Sequence, residues 1–106
     1  PIVDEAYLAS LATDLGSEQV VHDLLEVFVQ GLAPGVSAVF AASDPQSVRF
    51  AAHALKGSAA AAGAARLAAA AAALEADPGR DTGELFSAGH DTEVVFRRMV
   101  SSPATL

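Results

Sequence analysis

The most informative absence from this 106-residue chain is cysteine, of which it has none. Disulfides, thiolate metal sites and cysteine nucleophiles are therefore excluded, and a reducing cytoplasm is the expected location. Basic residues are also scarce, with 6 against 13 acidic ones and a formal net charge of −7. Because DNA, RNA and anionic membrane surfaces are bound by clustered lysine and arginine, we expect no contact of this domain with nucleic acid or membrane.

Long hydrophobic runs and enzyme signatures are scarce as well. No uncharged apolar run reaches 18 residues outside the alanine-rich segments, and alanine is too weakly hydrophobic to carry a chain across a bilayer. The sequence has no Gly-x-Ser-x-Gly motif, phosphate-binding glycine loop or dinucleotide fingerprint. A chain of this length fits one domain, residues 1–106, with a core large enough to fold without disulfides or metals.

Helix signals divide the chain into five segments. Asp4, Ser17 and Asp44 are typical N-cap residues, and no alternating β pattern appears. These features predict an all-α protein, an antiparallel four-helix bundle with an additional N-terminal helix. The expected helices cover approximately 4–15, 17–42, 45–62, 64–76 and 82–101.

The second helix has the longest apolar pattern, and it contains a proline. Because the phase of the pattern continues across Pro34, the sequence favours one helix that bends near this residue. Two helices broken at the proline are the alternative. The expected apolar stripe consists of Val20, Leu24, Val27, Phe28, Leu32, Val36, Val39 and Phe40. The expected inward face of the third helix consists of Val48, Ala51, Ala52, Leu55, Ala59 and Ala62.

A histidine, a lysine and a glycine stand out within the alanine-rich third helix. His53, Lys56 and Gly57 are spaced i, i+3 and i+4, so a helix places them on one face, together with Ala60. Lys56 is the only lysine in the chain. Glycine inside a helix is less stable than alanine by roughly 0.5–1 kcal/mol. Gly57 therefore indicates close approach, either of another molecule to His53 or of a neighbouring helix.

The sequence around the other two histidines, His22 and His90, gives weaker evidence for a functional site. Glu18, His22 and Glu26 are spaced four residues apart on one helix face, where they could together coordinate a metal ion. A solvated helix face with modest i,i+4 interactions is the expectation we favour, and no metal site is predicted. His90 is expected at the surface.

The segment Ala52-His-Ala-Leu-Lys-Gly-Ser58 resembles the histidine-containing phosphotransfer domain of bacterial two-component relays. The resemblance continues in Gly63-Ala64, Arg66-Leu67-Ala68 and Leu74-Glu75, and upstream in the Leu-Leu-Glu-Val-Phe segment of the second helix. It covers the whole chain, and the motif itself lies within residues 51–75. The density of alanine in residues 59–73 departs from the family pattern.

The resemblance implies a phosphocarrier without catalysis of its own. Such a domain accepts a phosphoryl group on His53 from the aspartyl phosphate of a receiver domain and passes it to another receiver. Lys56 would bind the phosphoryl oxygens. Glu75 would accept a hydrogen bond from one imidazole nitrogen and leave the other as the nucleophile. The expected partner contacts are Gly57, Arg49, Phe50 and Ala60.

The resemblance also defines partners and alternatives. No cofactor is expected, since the receiver supplies the Mg²⁺ ion of phosphoryl transfer. The expected partners are response-regulator receiver domains, with a histidine kinase as a further candidate. Three alternatives stay open: the phosphodonor domain of a chemotaxis-type kinase, a helical receiver-binding module without relay activity, and a structural bundle without a binding role.

Overall fold

The computed structural model describes residues 1–102, which form five α-helices. No strand occurs within this described range, so the predicted all-α class is confirmed. The helices are α1 (Glu5–Leu15), α2 (Glu18–Ala41), α3 (Pro45–Ala61), α4 (Ala65–Ala76) and α5 (Gly83–Ser101).

The first three helices each begin at a side-chain cap. The carboxylates of Asp4 and Asp44 and the hydroxyl of Ser17 accept hydrogen bonds from the backbone N–H three residues further on. These bonds satisfy donors that have no partner within the helix. Gly16 follows α1 with a φ of 71°, a left-handed conformation that glycine adopts without steric cost. Local chemistry therefore sets these helix ends.

The helix α2 is continuous over 24 residues and contains Pro34. The alternative of two helices broken at this proline is therefore not observed. Proline has no N–H to donate to the carbonyl group one turn earlier in the helix. Because Pro34 is exposed, water can reach that carbonyl group.

The helices α2 to α5 close into a bundle in which each helix packs against two others. The contacts are α2 with α3, α3 with α4, α4 with α5, and α5 with α2, and the additional helix α1 packs on α2. Short connections make successive helices antiparallel. The architecture is the predicted four-helix bundle with an N-terminal helix.

The buried face of α2 differs from the predicted stripe. Three members of the predicted apolar stripe, Val20, Val27 and Phe40, are 45%, 68% and 46% exposed, so only part of that stripe is buried. The helix is apolar on several sides, and its contacts with α3 and α5 select which side is buried. The buried residues of α2 are Val21, Leu25, Phe28, Val29, Leu32 and Val39.

The contact between α3 and α4 consists largely of alanine. Ala52 and Ala59 of α3 and Ala71 of α4 are fully buried, and Leu67 and Leu74 are buried beside them. Small side chains allow two helix axes to approach closely, because the distance between axes depends on the residues at the contact. Polar side chains on the outer edges of α3 and α4 therefore come within reach of one another. In α3, the predicted inward residues Val48 and Ala51 are only half-buried.

Length and composition alone would allow α2 to cross a membrane. Core helices of soluble proteins can be equally long and apolar, so length and composition are weak evidence for a membrane span. Six residues of α2 are buried in the protein core, and a cytoplasmic location stays a prediction.

Candidate functional site

His53 lies in the middle of α3 with a side chain that is 67% exposed. Its Nδ1 atom is 2.7 Å from Oε2 of Glu75 on α4. Because an ionised carboxylate can only accept, this bond requires the proton on Nδ1. In the neutral ring the lone pair is then on Nε2, which has no hydrogen-bond partner within residues 1–102. The neutral ring thus presents an unprotonated imidazole nitrogen on an exposed side chain.

Glu75 connects this histidine to the only lysine of the chain. Its Oε1 atom is 2.5 Å from Nζ of Lys56, while Oε2 is bound to His53. The carboxylate is 24% exposed, and hydrogen bonds from Lys56 and then from His53 hold the pKa of Glu75 below its usual range. Glu75 is therefore ionised at neutral pH and accepts hydrogen bonds from both side chains.

Arg49 also reaches Glu75, although it does so through the main chain. Its Nε atom donates to the backbone oxygen of Glu75 at 3.3 Å. Three side chains of α3, those of Arg49, His53 and Lys56, therefore meet at one residue of α4. Neither the Lys56–Glu75 ion pair nor the Arg49 contact was predicted from the sequence. The only signal for them was the spacing of the two cations, four residues before and three after His53.

Gly57 faces open space one turn after His53. Apart from the backbone of α3 itself, no heavy atom of residues 1–102 would lie within 4 Å of a Cβ atom at this position. The explanation that Gly57 admits a neighbouring helix is therefore wrong. Gly35 and Gly89, in contrast, allow close packing of a neighbouring helix. A Cβ atom would lie 3.3 Å from Leu55 at Gly35 and 3.3 Å from Val36 at Gly89.

Apolar and small side chains lie on α3 next to this charged cluster. Phe50, one turn before His53, is 78% exposed, and Ala60 is also exposed. A shallow apolar groove of 330 Å³ runs between α2 and α3 beside Gly57. Its lining residues are Leu24, Val27, Phe28, Gly31, Ser58, Ala61 and Ala62.

His22 is not part of a solvated face, so that expectation is wrong. Its side chain is only 16% exposed, and Nε2 lies 3.0 Å from the backbone oxygens of Val100 and Ser102. Nδ1 lies 3.2 Å from Oε1 of Glu26 without making a hydrogen bond to it. His22 thus ties α2 to the end of α5. Its ligand atom and those of Asp23 and Glu26 lie within 4.8 Å of one another, but Nε2 is already bound to the backbone. His90 is exposed, as predicted.

Arg66 forms a second ion-pair network, away from His53. Its guanidinium donates to Glu84 at 3.0 and 3.2 Å, to Asp91 at 2.5 Å and to Ser87 at 3.0 Å. The hydrogen bonds to Glu84 and then to Asp91 raise the pKa of Arg66, and the same contact lowers the pKa of Glu84. This network joins the start of α4 to α5. The sequence offered no signal for it beyond the charges themselves.

Comparison with known proteins identifies the family. The model of the Hpt domain family matches residues 5–102, a range that contains all five helices and the cluster around His53. The comparisons with curated proteins and with solved structures give no match. Since the match spans nearly the entire chain, the protein belongs to the Hpt domain family, which carries out histidine phosphotransfer in two-component signalling.

Proposed function

We propose that this domain is a phosphorelay carrier that takes a phosphoryl group from one receiver domain and delivers it to another. Hpt domains are phosphocarriers that interact with receiver domains and kinases. The proposal adds His53 as the acceptor and aspartyl phosphate as the donor. The observation that carries it is the 2.7 Å contact between Nδ1 of His53 and Glu75, which orients the ring with Nε2 towards solvent.

In the proposed step, the lone pair of Nε2 attacks phosphorus, and the bond between phosphorus and the aspartyl oxygen breaks. The aspartate leaves as a carboxylate, and the imidazole keeps its proton on Nδ1. The phosphorylated ring is then cationic, and the carboxylate of Glu75 stabilises that charge across the hydrogen bond. The reverse step, towards the carboxylate of a second receiver, uses the same contacts.

Lys56 is proposed to bind the transferred group. In the unphosphorylated domain its ammonium is held by Glu75, one helical turn from His53. A phosphoryl group on Nε2 offers charged oxygens that compete for the same ammonium. No cofactor of the domain itself is proposed, because the receiver supplies the Mg²⁺ ion that neutralises charge during the transfer.

The proposed receiver contacts surround the histidine on α3. Gly57 leaves open space next to His53, and the exposed ring of Phe50 offers an apolar anchor. Ala60 extends the flat part of the surface, and Arg49 contributes a positive charge at its edge. Together these residues would let the active-site loops of a receiver reach Nε2.

The test is incubation of the domain with phosphorylated receivers, followed by detection of acid-labile, base-stable phosphate. The variant His53→Gln should take up no phosphate while its helical circular dichroism is unchanged. The exposed His90→Gln variant is the matched control and should be labelled like the wild type. Labelling of His53→Gln would contradict the proposal.

Two other outcomes would identify a different activity. Phosphorylation by a kinase domain alone, without transfer from any receiver, would indicate the phosphodonor domain of a chemotaxis-type kinase. Receiver binding without phosphorylation would indicate an interaction module that does not take part in a relay.

A further inference from the structure

Arg49, a residue of α3, donates a hydrogen bond to the C-terminal end of the neighbouring helix α4. The last carbonyl groups of a helix have no donor within that helix, and α4 has no basic residue in its own last turn. Arg49 of α3 donates Nε–H to the backbone oxygen of Glu75, in that last turn. It thus brings both a donor and a positive charge to the negative end of the α4 dipole.

Beyond Glu75 the main chain of α4 is held by few bonds. The helix ends at Ala76, and the next bonds along the chain are those from Asp77 N–H to Ala73 O and from Arg80 N–H to Asp77 O. Helix ends fray when such bonds are few. The side chain of Glu75, however, must hold Nδ1 of His53 at 2.7 Å, and a hydrogen bond weakens steeply when its length or angle changes.

We propose that Arg49 is a positioning residue for phosphotransfer. It fixes the main chain of Glu75, and through the Glu75 carboxylate it keeps the proton of His53 on Nδ1 and the lone pair on Nε2. This role differs from a receiver contact, because it acts in the free domain before any partner arrives. The expected effect on transfer rests on the proposed function, whereas the effect on the tautomer rests on the contacts within this domain alone.

The first measurement is nitrogen NMR of the free, unphosphorylated domain, which reports the tautomer of His53. The wild type should have a single tautomer with the proton on Nδ1. Arg49→Ala should give a mixture of tautomers and faster hydrogen exchange in the last turn of α4. Arg49→Lys keeps a cation that can reach the carbonyl, so it should stay close to the wild type.

The matched control is Arg97→Ala, which removes the same charge from α5, where Arg97 bonds to Glu93 of its own helix at 2.9 Å. This variant should have the wild-type tautomer of His53. An unchanged tautomer in Arg49→Ala would overturn the proposal, whatever the transfer rate of that variant.

The second measurement is transfer from a phosphorylated receiver. Outer-shell partners that orient metal-ligating histidines typically contribute roughly 10–100-fold to activity, so we expect Arg49→Ala to lower kcat by about tenfold, in addition to any rise in KM from the lost receiver contact. Arg49→Lys should recover most of the rate. A higher KM with unchanged kcat and tautomer would make Arg49 a receiver contact only and would overturn the positioning role. If the wild type takes up no phosphate, the proposed function fails, and the NMR result still decides the role of Arg49.

Discussion

Replacement of Gly57 by alanine should stabilise the domain and slow its transfer reaction at the same time. Gly57 lies inside α3 without a positive φ, and in the part of the chain that the structure describes an added Cβ atom would meet no neighbouring element within 4 Å. Only the difference in helix propensity therefore acts on the fold. It favours alanine by roughly 0.5–1 kcal/mol, which corresponds to an increase in Tm of roughly 2–8 °C for a domain of this size.

Two other glycines provide controls for this magnitude. Gly31 is an exposed glycine inside α2, and a Cβ atom there would also meet nothing within 4 Å. Gly31→Ala should therefore raise the free energy of unfolding by a similar amount. At Gly89 the Cβ atom would lie 3.3 Å from Cγ2 of Val36, so Gly89→Ala should gain less or lose stability. Urea denaturation followed by circular dichroism measures all three.

The transfer assay separates the two effects of the Gly57 substitution. Because the new side chain lies beside His53 on the proposed docking surface, Gly57→Ala should transfer phosphate more slowly, and the bulkier Gly57→Gln more slowly still. A loss of stability in Gly57→Ala would refute the statement that its surroundings are open. Normal transfer by both variants would refute the docking surface.

Two further predictions concern the charged partners of the histidine. Lys56→Ala should slow phosphotransfer and shorten the lifetime of the phosphohistidine, because the phosphoryl oxygens lose their ammonium partner; a lifetime equal to that of the wild type would contradict this role. The folded-state pKa of Glu75 is lowered, so its ionisation stabilises the fold above the unfolded value of about 4.5, and this contribution is lost as the pH falls through the folded value. The stability difference between wild type and Glu75→Gln should therefore shrink between neutral pH and pH values below about 4, as measured by urea denaturation, and a constant difference would contradict the ion pair.

Helix ends could be predicted from the sequence because their causes are local. Ser17 and Asp44 accept hydrogen bonds from backbone N–H groups three residues away, so both partners of each bond lie within four consecutive residues of the sequence. The buried side of α2 could not be predicted in the same way. Val20 and Val21 are equally hydrophobic, yet the first is 45% exposed and the second is buried, because only the positions of α3 and α5 distinguish them.

In the candidate site, too, the local features could be predicted from the sequence and the contacts between helices could not. His53, Lys56 and Gly57 lie within five residues, and their helical spacing placed them on one face. The bond from Arg49 to the backbone of Glu75 depends on how α3 and α4 lie against each other, which no local pattern encodes. The tie between His22 and the end of α5 was missed for the same reason.

The alanine contact between α3 and α4 has a consequence for the rigidity of the site. Alanine has no side-chain rotamers to lose on folding, so an interface built from Ala52, Ala59 and Ala71 is ordered without conformational entropy cost from those side chains. These three alanines also have no alternative rotamers through which they could repack. At these alanines the separation of α3 and α4 is therefore set by the two backbones, while Arg49 contacts the main chain of Glu75 at the end of α4. The hydrogen bond between His53 and Glu75 therefore joins two helices whose contact is already ordered before any partner binds.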